Sequence, residues 1–219
     1  MNKLTTYILK RYLLLFAGLT IMAFGVAFSI KASLGTSPIS SVPYVLSLFS
    51  PLTVGTATIA MHCVFILLQI LILRKNYHPI QLMQLPVAFF FGYLTDFGVW
   101  AVQGISCHTY WQQWLVCLAG ILLVAAGVSL EVKAGVVVLA GEEVVLAICR
   151  AVPSLRFGYM KVCFDVTLVL TAILLSLVFT GSLQGVREGT VAAAVMVGLI
   201  AKQFGRVLSR WRLEDEQSA

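Results

Sequence analysis

Long apolar runs, separated by short polar segments, dominate this sequence of 219 residues. About 20 apolar residues at 1.5 Å rise per residue cross the hydrocarbon core of a bilayer, so each long run predicts a membrane-spanning helix. The pattern predicts six spans: Tyr12–Ile30, Gly55–Leu73, Leu82–Gly104, Trp114–Leu130, Phe157–Thr180 and Gly189–Val207. We therefore predict an all-α, polytopic membrane helix bundle, with residues 1–219 forming a single membrane domain.

Two shorter apolar segments, Gly35–Pro51 and Gly135–Pro153, do not fit as spans. Proline, glycine or charged residues interrupt both, and the helical stretches within them are short. Segments of this kind are typical of re-entrant or interfacial half-helices, which enter the membrane without crossing it. The sequence thus predicts six spans and two half-helices.

The composition agrees with a membrane protein and argues against a nucleic-acid partner. Hydrophobic residues make up 60% of the chain and charged residues 11%, where a soluble domain carries about 25% charged residues. The net charge of +6 comes from short basic clusters beside the apolar runs, not from a basic domain with aromatic platforms. The expected partner is the lipid bilayer, and no nucleic acid is expected.

The distribution of Lys and Arg predicts the orientation of the helices. With six spans and both termini in the cytoplasm, the basic residues on the outer side are Lys31 and Arg187. The outer segment Ser106–Gln113 contains no Lys or Arg. The cytoplasmic side then holds Lys3, Lys10, Arg11, Arg74, Lys75, Lys133, Arg150, Arg156, Arg206, Arg210 and Arg212.

The two halves of the chain resemble each other. GLTIMAFGVAFSIKASLG from Gly18 aligns with GILLVAAGVSLEVKAGVV from Gly120. The aligned pairs are Gly18/Gly120, Gly25/Gly127, Lys31-Ala32/Lys133-Ala134 and, after gaps, Gly55/Gly158, His62/Asp165, Gly92/Gly198 and Asp96/Lys202. Each repeat (about 12–104 and 114–207) has three spans, so the second is inverted, as in many secondary transporters. Chance similarity between two helices rich in Gly and Ala is the alternative.

Several short motifs also carry a family resemblance. They are Lys31-Ala-Ser-Leu-Gly-Thr-Ser-Pro38, the Gly55 that opens the second span, the Asp96 region, and Arg187-Glu-Gly-Thr190 before the last span. In these the chain resembles the YczE/YyaS/YitT family of bacterial integral membrane proteins. The resemblance implies a multi-pass protein of the bacterial cytoplasmic (inner) membrane and carries over no biochemical activity. The second half departs from the pattern, since Gly135–Glu143 has no LGTSP motif.

Charged residues within spans are candidates for function, because burying a charge in a bilayer is unfavourable. Asp96 lies in the third predicted span, where it could bind a cation, a proton or a substrate amine. It could instead be a structural partner of His62 or Lys202. Asp165 follows Lys161 by four residues, which places both on one helix face, where they can pair. Asp165 is thus a candidate for ligand binding or for a structural ion pair.

His62 forms a polar stripe with Thr58 and Gln69 on an otherwise apolar span. Such a stripe faces protein or a water-filled cavity, not lipid. His62 could serve as a proton relay, and the alternative is a hydrogen-bonded structural histidine.

The two half-helices are predicted to begin with different polar groups. Thr36 or Ser37 can cap the first, with Pro38 as its first helical residue, and a helix N-terminus in the membrane can hold an anion. Glu142 and Glu143 occupy the corresponding place in the second half. They could bind a cation or proton, or simply compensate the helix dipole.

The remaining motifs are assigned to structure. Glycines spaced by seven allow helices to pack closely, namely Gly18/Gly25, Gly120/Gly127 and Gly198/Gly205. The five cysteines show no paired spacing, and no catalytic motif is present. We therefore expect no disulfide framework, no metal, no cofactor and no enzymatic activity.

These observations predict a small-solute transporter or exporter with a midplane site between inverted halves. The predicted substrate or ion ligands are Thr36, Ser37, Asp96, Glu142, Glu143 and Asp165, with His62 as a possible proton relay. A membrane scaffold or regulator is the alternative, and the sequence leaves homo-oligomer formation open. A solvent-connected cavity lined by both half-helices would favour transport, whereas a dry, packed centre would favour a scaffold.

Overall fold

The computed structural model describes the backbone of residues 3–208 and the side chains of residues 7–208. This part of the chain contains eight α-helices and no strand. The helices are α1 (Lys3–Ala32), α2 (Pro38–Phe49), α3 (Val54–Leu73), α4 (Gln84–Ala101), α5 (Tyr110–Ala134), α6 (Ala140–Ala151), α7 (Phe157–Thr180) and α8 (Glu188–Leu208). Two 3₁₀ turns, Arg74–Asn76 and Pro79–Met83, connect α3 to α4.

Six long apolar helices, α1, α3, α4, α5, α7 and α8, confirm the predicted spans. Their length and composition make the protein a multi-pass integral membrane protein. The bounds of α7 agree with the prediction at both ends, while α1 begins at Lys3 instead of Tyr12. Neither Gly nor Pro interrupts residues 3–12, so the helix continues past the end of its apolar run. Arg210 and Arg212, two of the predicted cytoplasmic residues, lie outside the described residues.

The two short helices, α2 and α6, have 12 residues each. A helix of this length is about 18 Å long, well short of the roughly 30 Å hydrocarbon core. Ser37 is the N-cap residue of α2 and Pro38 its first helical residue, as predicted. In α6 the N-cap residue is Leu139, which has no side-chain oxygen with which to cap.

The helices form two layers. In one layer α1 packs along α5 at the centre, with α4 against α1 and α8 against α5. The other layer contains α3 and α7, with α2 and α6 each packed against both of them. On one side of the molecule α3 packs on α4 and joins the layers, whereas on the opposite side α7 and α8 make little contact.

Glycines allow α1 and α5 to approach closely and antiparallel to each other. A Cβ on Gly18 would lie 2.9 Å from the Gly127 carbonyl oxygen, and a Cβ on Gly25 would lie 2.8 Å from that of Gly120. These four glycines therefore have the packing role predicted from their spacing. The same prediction for Gly198 and Gly205 is wrong. No atom of the described residues lies within 4 Å of a Cβ at either position, because no described helix packs closely against α8 there.

The connecting segments meet at two opposite ends of the bundle. At the first, here called the Lys31 end, the Lys31 ammonium donates to the Gln103 carbonyl oxygen at 2.9 Å, and the Thr36 N–H donates to that of Gly185 at 3.2 Å. At the second, the Arg11 end, the Arg11 guanidinium donates to the Ala134 carbonyl oxygen at 2.7 Å. The predicted outer and cytoplasmic segments thus fall at opposite ends.

Candidate functional site

A cavity of about 220 Å³ lies where the first turns of α2 and α6 face α7 and α8. Its polar lining combines residues from three helices and one N-cap: Ser37, Glu131, Glu142, Lys161 and Asp165. Apolar side chains complete it, among them Val124, Val128, Val162, Ala193 and Val197. Three of the predicted site residues, Ser37, Glu142 and Asp165, therefore meet at one place.

A second, smaller cavity of about 40 Å³ adjoins the first around His62. The two cavities share the lining residues Met22, Ser37, Ile39, Val124 and Leu139. His62 is 1% exposed, and its Nδ1 has no hydrogen-bond partner among the described residues. Thr58 and Gln69 are buried too, which confirms that the stripe faces the protein interior. The small cavity has room for one water molecule beside the imidazole.

The start of α2 contributes Ser37 to the cavity but not Thr36. The Ser37 hydroxyl pairs with that of Ser40 at 3.1 Å and caps no backbone N–H. Thr36 is 1% exposed and lines neither cavity. Its N–H holds the α7–α8 connection through Gly185, so Thr36 fixes the loop in which α2 begins.

The start of α6 separates its two adjacent glutamates. The Glu142 side chain lines the cavity and has neither a hydrogen-bond nor an ion-pair partner among the described residues. Glu143 is buried elsewhere and accepts from Gln81 Nε2 at 2.9 Å and from the Arg150 guanidinium at 2.7 Å. Successive helical residues point in different directions, so of these two glutamates only Glu142 can contact a ligand in the cavity.

Glu131 is a cavity residue that the sequence prediction missed. It is 2% exposed, and its Oε1 accepts from the Leu139 N–H at 2.7 Å. This hydrogen bond satisfies the N–H of the N-cap residue of α6 and joins it to the last turn of α5. A carboxylate in an apolar run makes Glu131 a candidate on the same grounds as Asp96. The predicted span ends at Leu130, one residue before Glu131, whereas α5 continues to Ala134.

Lys161 and Asp165 form the predicted ion pair on α7, with Lys161 Nζ at 2.6 Å from Asp165 Oδ1. Both side chains line the cavity. The spacing of four residues placed them on one face, and the pair confirms the local prediction.

Comparison with known proteins places the chain in a family but assigns no activity. The model of DUF6198, a family of unknown function, matches residues 9–206. The chain belongs to the DUF6198 family. No curated protein and no solved structure matches this DUF6198 chain. The resemblance to the YczE/YyaS/YitT proteins stays a prediction.

In this DUF6198 protein Asp96 lies apart from the cavities, towards the Lys31 end. Its Oδ2 accepts from the Thr53 hydroxyl at 2.6 Å and its Oδ1 from the Gly55 N–H at 2.7 Å. Asp96 of α4 thus caps the N-terminus of α3 and pairs with neither of the partners first considered, His62 and Lys202. A negative charge at a helix N-terminus is stabilising, so the geometry gives Asp96 a structural role. Its predicted role in ligand binding remains untested.

The glycine pairs that align in the two halves of the DUF6198 chain have different surroundings. Gly55 and Gly92 touch, since a Cβ on Gly92 would lie 2.7 Å from the Gly55 carbonyl oxygen. A Cβ on Gly158 or Gly198 would meet no atom of the described part of the chain within 4 Å. Helices α3 and α4 are therefore closed against each other near the Lys31 end, whereas α7 and α8 are apart where they flank the cavity.

Proposed function

We propose that this protein transports a small solute across the membrane, with the cavity as its substrate site. The observation that carries the proposal is the cavity itself. It is bounded by the first turns of both short helices, has charged groups in its lining and lies between two helices, α7 and α8, that make little contact. Secondary transporters typically bind substrate in such a place, where broken helices from two halves meet.

The packing of α1 on α5 supports an arrangement of two inverted repeats. In space, Gly18 contacts Gly127 and Gly25 contacts Gly120. In the alignment of the two halves, Gly18 corresponds to Gly120 and Gly25 corresponds to Gly127. Each contact is therefore repeated with the roles of the halves exchanged, which is the property of a two-fold relationship.

The short helices fit the same arrangement. Both begin at the shared cavity lining, but they run to opposite ends of the bundle. At its last residue α2 stacks Phe49 on Phe179 with ring centroids 4.4 Å apart, near the Lys31 end. At its end α6 places Arg150 beside Asn76 and His78 of the α3–α4 connection, at the Arg11 end. We propose that both are re-entrant, entering from opposite sides of the membrane.

The two halves differ in conformation, since α3 packs on α4 whereas α7 and α8 make little contact, and this difference suggests a transport cycle. On this proposal the closed α3–α4 contact seals the Lys31 end, and the cavity opens between α7 and α8 towards the Arg11 end. If each half adopted the conformation of the other, α7 would pack against α8 with Gly158 and Gly198 in contact. The same exchange would also part α3 from α4 at Gly55 and Gly92. The substrate would then meet the opposite side of the membrane, which is alternating access.

The orientation follows from the basic residues. Lys10, Arg11 and Lys133 belong to the Arg11 end, and the positive-inside rule supports our proposal that this end and both termini face the cytoplasm. We propose that the cavity faces the cytoplasm in this conformation. The family resemblance points to the inner membrane of a bacterium.

Uptake into proteoliposomes tests the proposal against a membrane scaffold. Purified protein would be offered cationic, zwitterionic and anionic small solutes at several pH values. We expect uptake of at least one solute and its loss in Glu142→Gln. The control Glu188→Gln, which changes an exposed glutamate of α8 outside the cavity lining, should retain uptake. No uptake of any solute by correctly folded protein would overturn transport and favour the scaffold.

A further inference from the structure

We infer that the cavity binds a small organic cation, an ammonium or guanidinium group carried on a short apolar body. The inference rests on the proposed function, because it names the substrate class of the same site.

The charges around the cavity are unequal. Lys161 is the only basic residue in the lining formed by the described residues, and Asp165 already neutralises it at 2.6 Å. Glu131 and Glu142 add two further carboxylates to the lining, and the Lys161 ammonium, which also attracts Glu142, is the one positive charge that the described residues offer to all three. Carboxylates removed from water are costly unless a positive charge accompanies them. A cationic ligand between these two glutamates would supply the missing charge.

The cavities also contain hydrogen-bond acceptors that have no donor among the described residues. Glu142 accepts no hydrogen bond from the described residues, and in Glu131 the bond from Leu139 engages Oε1 alone. In the adjoining small cavity, the buried His62 presents an unpartnered Nδ1. An ammonium or guanidinium group has several N–H donors and no acceptor, so it matches two carboxylates and the unpartnered Nδ1 of His62.

The rest of the lining favours an organic cation over a metal ion. Valine and alanine side chains of α5, α7 and α8 surround the acidic groups, and they can contact an apolar body. No group of three or more His, Cys, Asp or Glu residues suited to a metal occurs in the described part of the chain. Ligand sites that combine apolar walls with a few polar groups are typical of small organic molecules.

Three probes of similar shape and different charge separate the possibilities: benzylammonium, benzyl alcohol and benzoate. Binding to the full-length protein in detergent would be measured by calorimetry and by the shift in melting temperature. We expect benzylammonium to bind and raise the melting temperature, with the alcohol and benzoate at least about tenfold weaker, a difference of about 1.4 kcal/mol. Preferred binding of benzoate would overturn the inference and assign the site to anions held by Lys161 and the start of α2. Equal binding of all three, or none, would also overturn it.

Two substitutions should act in opposite directions. Glu142→Gln removes a charge but no hydrogen bond, so the protein should fold normally and bind benzylammonium about tenfold or more weakly. Lys161→Gln removes the competing cation and should tighten binding. Glu188→Gln is the matched control and should leave binding unchanged. An unchanged affinity in both cavity variants would place the bound cation elsewhere and contradict the inference.

Transport of the same probes separates the two proposals. Benzylammonium that binds but is never transported would leave the cation site standing and refute the transporter. Transport of benzoate, with no binding of benzylammonium, would refute the cation site and leave the transporter standing.

Discussion

Ile39, the second residue of α2, lies against Gly141, the second residue of α6. A Cβ on Gly141 would clash with the Ile39 Cδ1 atom, so the first turns of the two short helices are in direct contact. Residues about a hundred positions apart in sequence thus form one junction at the centre of the bundle. The cavity with Glu142 begins beside this junction.

The junction should not accept a large residue. We expect Gly141→Leu to destabilise the protein by about 1–3 kcal/mol, because a leucine side chain must displace the Ile39 side chain and then fit beside Phe65. The melting temperature in detergent would measure this. Gly205→Leu is the control, since no atom lies within 4 Å of a Cβ there. Equal melting temperatures for both variants would show that the contact is unimportant.

The α1–α5 contact should be sensitive to a single methyl group. A Cβ on Gly25 would lie 2.6 Å from the Val124 backbone nitrogen, which a rotamer change cannot move away. We expect Gly25→Ala to lower stability by about 1–3 kcal/mol, as overpacking does. Gly198→Ala lies in open space and should be neutral or slightly stabilising, because alanine favours a helix over glycine. Thermal unfolding of the two variants side by side checks this, and a stable Gly25→Ala protein would contradict it.

Filling the gap between α7 and α8 should stop transport without unfolding the protein. Gly198 lines the cavity and has no close neighbour, so the conformation described above can accommodate Gly198→Trp. The indole should block closure of α7 on α8. We expect an unchanged melting temperature and lost uptake. Gly205→Trp, outside the cavity lining on the same helix, should transport normally. Full activity of the Gly198→Trp protein would refute closure at this position.

Asp96 should contribute to stability through the start of α3. Asp96→Ala removes the acceptors of the Thr53 hydroxyl and the Gly55 N–H, so we expect a loss of about 1–3 kcal/mol. Asp96→Asn keeps one acceptor oxygen and should lose less. Thr53→Val removes the hydrogen bond to Asp96 together with the side-chain cap that accepts from the Thr56 N–H, so it should also lower stability. If Asp96→Asn retains stability and loses uptake, the role of the carboxylate is in binding or coupling instead.

Cysteine labelling tests the orientation. Cys107 lies in the α4–α5 connection at the Lys31 end, and Asn76 lies in the α3–α4 connection. In a background that retains Cys107 alone, an impermeant maleimide should label intact cells. With Asn76→Cys as the only cysteine, labelling should require access to the cytoplasm. The opposite pattern would reverse the orientation and turn the cavity to the outside.

The sequence determined the number, order and approximate bounds of the helices, because the length of an apolar run is a local property and must match the thickness of the hydrocarbon core. It also determined the Lys161–Asp165 pair, since four residues along one helix fix that spacing. Only the tertiary structure decided which carboxylates share the cavity. Glu142 and Glu143 are neighbours in sequence, yet the way α6 packs sends one into the cavity and the other to Gln81 and Arg150. The sequence could not predict the gap between α7 and α8 either. Glycines occupy the aligned positions in both halves, and only the packing of the helices shows that Gly55 and Gly92 are in contact whereas Gly158 and Gly198 are apart.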